Sequence, residues 1–387
     1  MEETPKVDTN IQINPAAEAE PTFPSDFTDS LQDHKTPFFK SRSRRRRSDT
    51  WVISIFVIFH LIAFIATMIV NDCWTNSNGD CAVKALRRMS FQPLSENPFL
   101  GPSASTLVLD KMGALRKTLL LEHQTWHLFS CPWLHAGLFH LIINLTGVIF
   151  LGIYLEQEFG PLRVGVVYFL SAFFGTLVTA LFVRDSPIVS SSSAQLGLLG
   201  ATLSALVRNW KIYTNKLAAV LILFAVFACN FMLGLLPYID NYSNIGGLIS
   251  GFLLGIALLF TPQLRQVAQN KSGLYDSGVK SSFNLKQKLD RPVLRSVSLL
   301  LFAFLLVGFL VAALQGINIS QYCQWCGYFD CIPSKRWNCN DVTTYCEIML
   351  SDTELTLTCL GNGNFRVFPY TNISDARKKD VCTLICS

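Results

Sequence analysis

Charge is what this sequence has least of. Only 15% of its 387 residues are Asp, Glu, Lys or Arg, while half are apolar and the mean hydropathy is positive. That balance argues against a soluble domain and for a chain that crosses a membrane several times. Histidine is scarce as well. There are six, the last is His140, and nothing beyond it can supply an imidazole base. The first 50 residues lack an apolar core, so a cleaved signal peptide is not expected and the first span should serve as its own insertion signal.

What is present is a series of apolar runs. Crossing a hydrocarbon core of roughly 30 Å takes about 20 residues. Seven runs qualify as spans: Trp51–Val70, His135–Leu155, Val164–Val183, Ser192–Val207, Leu217–Leu236, Asn244–Phe260 and Ser296–Gln315. The fourth is short for the task. Basic residues cluster before span one (Lys40 to Arg47), between spans four and five (Arg208, Lys211, Lys216) and between spans six and seven (Arg265 to Arg295). With seven spans all three clusters share one side, which the positive-inside rule makes cytoplasmic. The amino terminus is then inside and the carboxyl tail lumenal. The arginine cluster flanks span one, and it also suits anionic lipid on the cytoplasmic leaflet.

This gives a division into five parts. Residues 1–50 form a cytoplasmic terminus, acidic and Pro/Thr/Ser-rich over 1–33 and expected to be disordered. Residues 51–261 hold six spans with a long lumenal loop at 71–133. A basic loop follows at 262–295, then the seventh span at 296–315 and a Cys-rich tail at 316–387.

Eight of twelve cysteines lie in that tail: Cys323, Cys326, Cys331, Cys339, Cys346, Cys359, Cys382 and Cys386. Cys73 and Cys81 sit on the same expected side. An even set crowded into a short lumenal stretch reads as a disulfide framework, with connectivity left open. Zinc would need a second pair matching Cys323-x-x-Cys326, and Cys382/Cys386 has the wrong spacing, so no metal or cofactor is expected. Asn318 and Asn372 open glycosylation sequons on that side.

The polar residues within the spans carry the chemistry. His140 and Asn144 are four apart in span two, on one helix face. Polar pairs inside a bilayer are expensive, and they mark either function or interhelical hydrogen bonding. Span four opens with Ser190-Ser191-Ser192-Ser193, tolerable in a bilayer only inside protein or a wet cavity. Ser193, Gly197, Gly200 and Ser204 then form a small-residue seam, and Gly247, Gly251 and Gly255 form another in span six. Asn244 is one turn ahead of Gly247, so packed seams would bring it near the serine run.

At this point the chain resembles the rhomboid intramembrane serine proteases, specifically the plant RHOMBOID-like branch. The resemblance covers roughly Trp51–Ser387 and rests on several stretches together. These are Asn97-Pro98-Phe99-Leu100-Gly101-Pro102-Ser103, Met112-Gly113-Ala114-Leu115, Trp133 to Leu145, Leu155-Glu156-Gln157-Glu158-Phe159-Gly160, Gly197-Leu198-Leu199-Gly200-Ala201 and Ile245-Gly246-Gly247. It implies an all-α polytopic membrane protein, a rhomboid-like six-helix core with a seventh C-terminal transmembrane helix and a disulfide-rich lumenal tail.

The family places its nucleophile in Gly-x-Ser-Gly at the start of span four and its histidine base one turn before the span-six seam. Carried onto this chain, the nucleophile position is Ser192, the base position is Asn244, and the oxyanion-side pair is His140 and Asn144. Ser190 and Ser193 stand where the motif has glycine, and Trp126-His127 stands where the family has Trp-Arg. An asparagine amide cannot take the serine proton, and loss of the base in a serine hydrolase costs about 10⁴–10⁶ in turnover. Serine for glycine also adds side chains where a scissile peptide would lie. Among the remaining histidines, His127, His135 and His140 are the possible substitutes.

The sequence thus leads to a catalytically inactive rhomboid-like protein of the plant secretory pathway (Golgi, endoplasmic reticulum or plasma membrane). It would bind, escort or regulate transmembrane segments of client proteins in the lipid bilayer, with no nucleic-acid partner. The alternative is an active protease using Ser192 with a non-standard base. Solute transport is disfavoured, because the spans show no inverted repeat and few paired charges.

Overall fold

The computed structural model describes residues 37–39, 50–73, 81, 84–89, 91, 106–121, 123–183, 186–210, 213–236, 238–259, 292–323, 326–330, 346–350, 354–359, 364–369, 381–382 and 385. The acidic terminus, the arginine cluster, most of the basic loop 262–295, Cys331, Cys339, Cys386 and Asn372 lie outside them.

Six helices among the described residues are long and apolar enough to cross a membrane. They are α1 (Trp51–Asn71), α5 (Leu138–Phe159), α6 (Pro161–Phe182), α8 (Lys216–Leu233), α9 (Asn241–Leu258) and α10 (Pro292–Leu314). Short helices α2 (Thr106–Met112), α3 (Lys117–Leu121) and α4 (His127–Ser130) occupy the stretch before α5 that the sequence offered only as a loop. Helix α7 (Ser192–Arg208) has 17 residues and is buried almost along its whole length. Its neighbours α5, α6 and α9 wrap it, and that enclosure lets a polar, short helix sit at the centre of an apolar bundle.

Helix ends depart from the apolar runs for local reasons. Gly137 is extended, so α5 begins at Leu138 and leaves His135 ahead of the helix. The Asp240 side chain accepts from Tyr242 N and Ser243 N and caps α9, which therefore starts at Asn241 rather than Asn244. Gly160, at φ 92°, ends α5, and Pro161 opens α6 at once. Glu156, one turn earlier, accepts from Val52 N at 2.9 Å and Ile53 N at 3.1 Å. A carboxylate there satisfies two of the free N–H groups at the start of α1 and complements its dipole.

The seams are places where backbone meets backbone. A Cβ on Gly251 would overlap the Gly197 carbonyl, one on Gly247 would overlap the Ser193 carbonyl, and one on Gly200 would overlap the Leu248 carbonyl. Gly255 makes room for Ser204 and Ala201. Helices α7 and α9 therefore touch without side chains between them.

The expectation of an all-α chain needs correcting. The described part of the tail holds α11 (Gly327–Asp330) and a three-stranded antiparallel sheet of β1 (Cys346–Leu350), β2 (Leu355–Cys359) and β3 (Phe365–Phe368), in that order. Strand β2 alternates Leu355, Leu357 and Cys359, all buried, with half-buried Thr356 and Thr358, a period-two pattern that the cysteines masked. The chain is mostly helical rather than wholly so. Disulfides join Cys73 to Cys81 and Cys323 to Cys326, while Cys131 and Cys229 are free thiols.

Candidate functional site

The serine run enters α7 from an extended stretch. Val189 N donates to Tyr238 O, and Leu115 pairs with Ile188, which ties the run to the α2–α3 connection and to the entry of α9. That connection turns at Gly113, at φ 107°, where a side chain would collide with Ser130 and Trp126. The Met-Gly-Ala-Leu motif is thus a brace beneath the site.

All four serines are buried, and they point in different directions. Ser190 Oγ is 2.7 Å from Thr176 Oγ1 and donates to Cys131 Sγ at 3.2 Å. Ser193 Oγ donates to Ser190 O at 2.7 Å and to Ala172 O at 3.1 Å. Ser191 Oγ accepts from Asn144 Nδ2 at 3.1 Å. Ser192 Oγ is buried and has no protein partner. The Ser190 and Ser193 hydroxyls are therefore engaged by α6, by Cys131 and by the run's own backbone, and Gly175 of α6 leaves the space that the Ser193 side chain fills.

Asn244 is wholly buried, and its Oδ1 has no hydrogen-bond partner. Its Nδ2 donates to Asn241 Oδ1 at 2.9 Å and to Asn230 O at 3.3 Å. Asn241 Nδ2 in turn donates to Phe231 O at 3.0 Å and Phe329 O at 2.8 Å. Asn244 thus lies on the face that meets α7, one turn from the Gly247–Ser193 contact, and makes no hydrogen bond to Ser192. Its amide joins α9 to the end of α8.

The histidines offer no substitute base in the described geometry. His127 is buried; its Nδ1 donates to Ala114 O at 2.8 Å, its Nε2 lies 3.2 Å from Gln124 Oε1, and burial lowers its pKa. His140 Nδ1 accepts from Ala136 N at 3.3 Å, and its Nε2 is unpartnered. His135 packs edge-on between the rings of His60 and His140, with neither nitrogen bonded to protein. Among the described residues no side chain hydrogen-bonds Ser192 Oγ, and no cluster of His, Cys, Asp or Glu is arranged to hold a metal ion.

Two further groups shape the site without having been singled out from the sequence. Gln195 projects into the space left by Gly147. Asp240 is buried against Thr179, which donates to its Oδ2, and burial raises its carboxyl pKa. A lone Asn230 in the otherwise apolar α8 and the Asp240-Asn241 pair were the visible signals. Asn318, read as a sequon, turns its amide nitrogen onto Val183 O at 2.8 Å and is buried.

Comparison with known proteins gives a consistent result. The model of the rhomboid domain matches residues 122–260. The chain is 51% identical to Inactive RHOMBOID-like protein 8 of Arabidopsis thaliana, over 82% of this chain and 90% of that one. It is 40% identical to RHOMBOID-like protein 1 of the same plant, over 87% and 85%. It is 44% identical to RHOMBOID-like protein 6, mitochondrial, over 77% and 98%.

Proposed function

The chain belongs to the rhomboid family, and from that premise we propose that it is a member without proteolytic activity that binds transmembrane client proteins. One observation carries the loss of activity. The amide at Asn244, the position read as the base, is committed to Asn241 and Asn230, while Ser192 Oγ has no partner at all. A serine hydroxyl with no base beside it is not activated. The name of the 51% identical relative supports the same reading.

Client binding rests on what the fold retains. The buried polar interior of His140, Asn144 and Ser192 remains, and the seams still hold α7 against α9. In this reading α7 completes seven crossings, the amino terminus is cytoplasmic and the cysteine-bearing tail is lumenal. The Cys73–Cys81 and Cys323–Cys326 disulfides support an oxidising compartment of the secretory pathway.

Reconstitution with a generic rhomboid substrate, beside Ser192→Ala, tests it. No cleavage by either protein is expected; cleavage that Ser192→Ala abolishes would establish the active protease instead. Asn244→His with Ser190→Gly and Ser193→Gly is the companion, and gain of cleavage there would locate the defect at these three positions.

A further inference from the structure

Helix α8 is the most loosely held of the helices around the polar interior. Only Ala219, Leu223 and Asn230 of its 18 residues are buried. Its lumenal end is fastened by two amides of α9, Asn241 to Phe231 O and Asn244 to Asn230 O. A third element closes on the same joint from far along the chain. Tyr242 Oη donates to Cys326 O at 2.7 Å, Asn241 Nδ2 also donates to Phe329 O, and the Phe329 ring meets Phe231 edge-on. Asp330 is buried beside Asp240, the cap of α9, where a proton held between the two carboxyls would join them. Asn241 thus splits its two amide protons between α8 and the tail.

We infer that the Cys326–Asp330 segment, anchored at its first residue by the Cys323–Cys326 disulfide, is a latch that holds α8 against α9 and keeps a client helix from the polar interior. This rests on the client-binding reading above. The tail also bonds α6 through Asn318 and Val183 O, yet the polar contacts of Cys326 and Phe329 meet at the joint beside the sparsely buried α8. Moving the end of α8 away from α9 requires breaking Asn241–Phe231, and that bond shares its donor with the latch. Each polar tie is individually modest, so the closed state is one that a few lost contacts can tip.

The test uses the full chain in lipid nanodiscs. Hydrogen–deuterium exchange reads the amides of Asn230–Leu233. A photo-crosslinker at exposed Met232 reads capture of a single-span peptide of about 20 leucine and alanine residues. Tyr242→Phe removes the bond to Cys326 O and keeps the ring stacked on Phe182. It should raise both exchange and crosslinking about fivefold, the shift expected for one lost hydrogen bond. Asp330→Ala should do the same, which covers the case of one variant misfolding.

Exchange unchanged in both variants would overturn the latch. Exchange raised while crosslinking stays at a measurable wild-type level would overturn its role as a gate. Exchange raised with no crosslinking by any protein would overturn the client-binding reading and, with it, the gate.

Discussion

At the residue scale, Asn244 is described by its hydrogen bonds. It is a strut between α9 and α8, and that role predicts a cost for its removal. Asn244→Ala should lower thermal stability in nanodiscs by about 0.6–1.5 kcal/mol, the range for one interhelical hydrogen bond in a membrane. Asp240 gives a pH signature. Its folded pKa is raised by burial above the ordinary value of 3.8, so the fold favours the protonated form. Its contribution is fully present in acid and declines as pH climbs from 3.8 through the folded value, levelling off above it. Melting curves of wild type should fall across that window relative to Asp240→Asn; parallel curves would refute the assignment. Cys131 is a further test of burial. Its thiol is pushed up to about 12, so iodoacetamide at pH 8 should leave it unmodified until the protein is denatured.

At the scale of elements, six of the seven expected spans were legible because each is a long, largely apolar run, and the seams because small residues recur every third or fourth residue. The contact of Asn144 with Ser191 was not read from periodicity, which put Asn144 only on one face with His140. What could not be read was the partner: periodicity puts Asn244 one turn ahead of Gly247 but does not say that its amide nitrogen donates to Asn241 and Asn230. The clasp through Asn241 was hidden for a different reason, since its acceptors at Phe231 and Phe329 lie on other elements, the latter 88 residues away. The tail sheet was obscured by attention to cysteines over the Leu/Thr alternation. The seams make a prediction of their own. Gly251→Val drives a branched side chain into the Gly197 backbone, which cannot move aside, and should abolish folded protein on detergent size-exclusion chromatography. Gly175→Ala should destabilise, and Ser193→Gly should relieve only part of the loss, because Ser243 O would still stand 2.8 Å from the new Cβ.

At the scale of the whole molecule, several of the polar ties between distant parts are placed where a helix begins or ends. Asp240 caps α9, Asn241 reaches the tail, and Glu156 closes the start of α1. The last of these sets a schedule for synthesis. The N–H groups of Val52 and Ile53 emerge 104 and 103 residues ahead of the carboxylate that will receive them. At about 5–20 residues per second, the first helix waits roughly 5–20 s in the bilayer with its leading turn unsealed. During that interval the turn lacks the carboxylate that accepts from it in the finished fold. Glu156→Gln should therefore lengthen the period in which nascent chains are open to quality-control extraction, measurable as faster turnover in pulse–chase at unchanged synthesis. One carboxylate in the last turn of α5 thus ties the completion of the first helix to the synthesis of the second span.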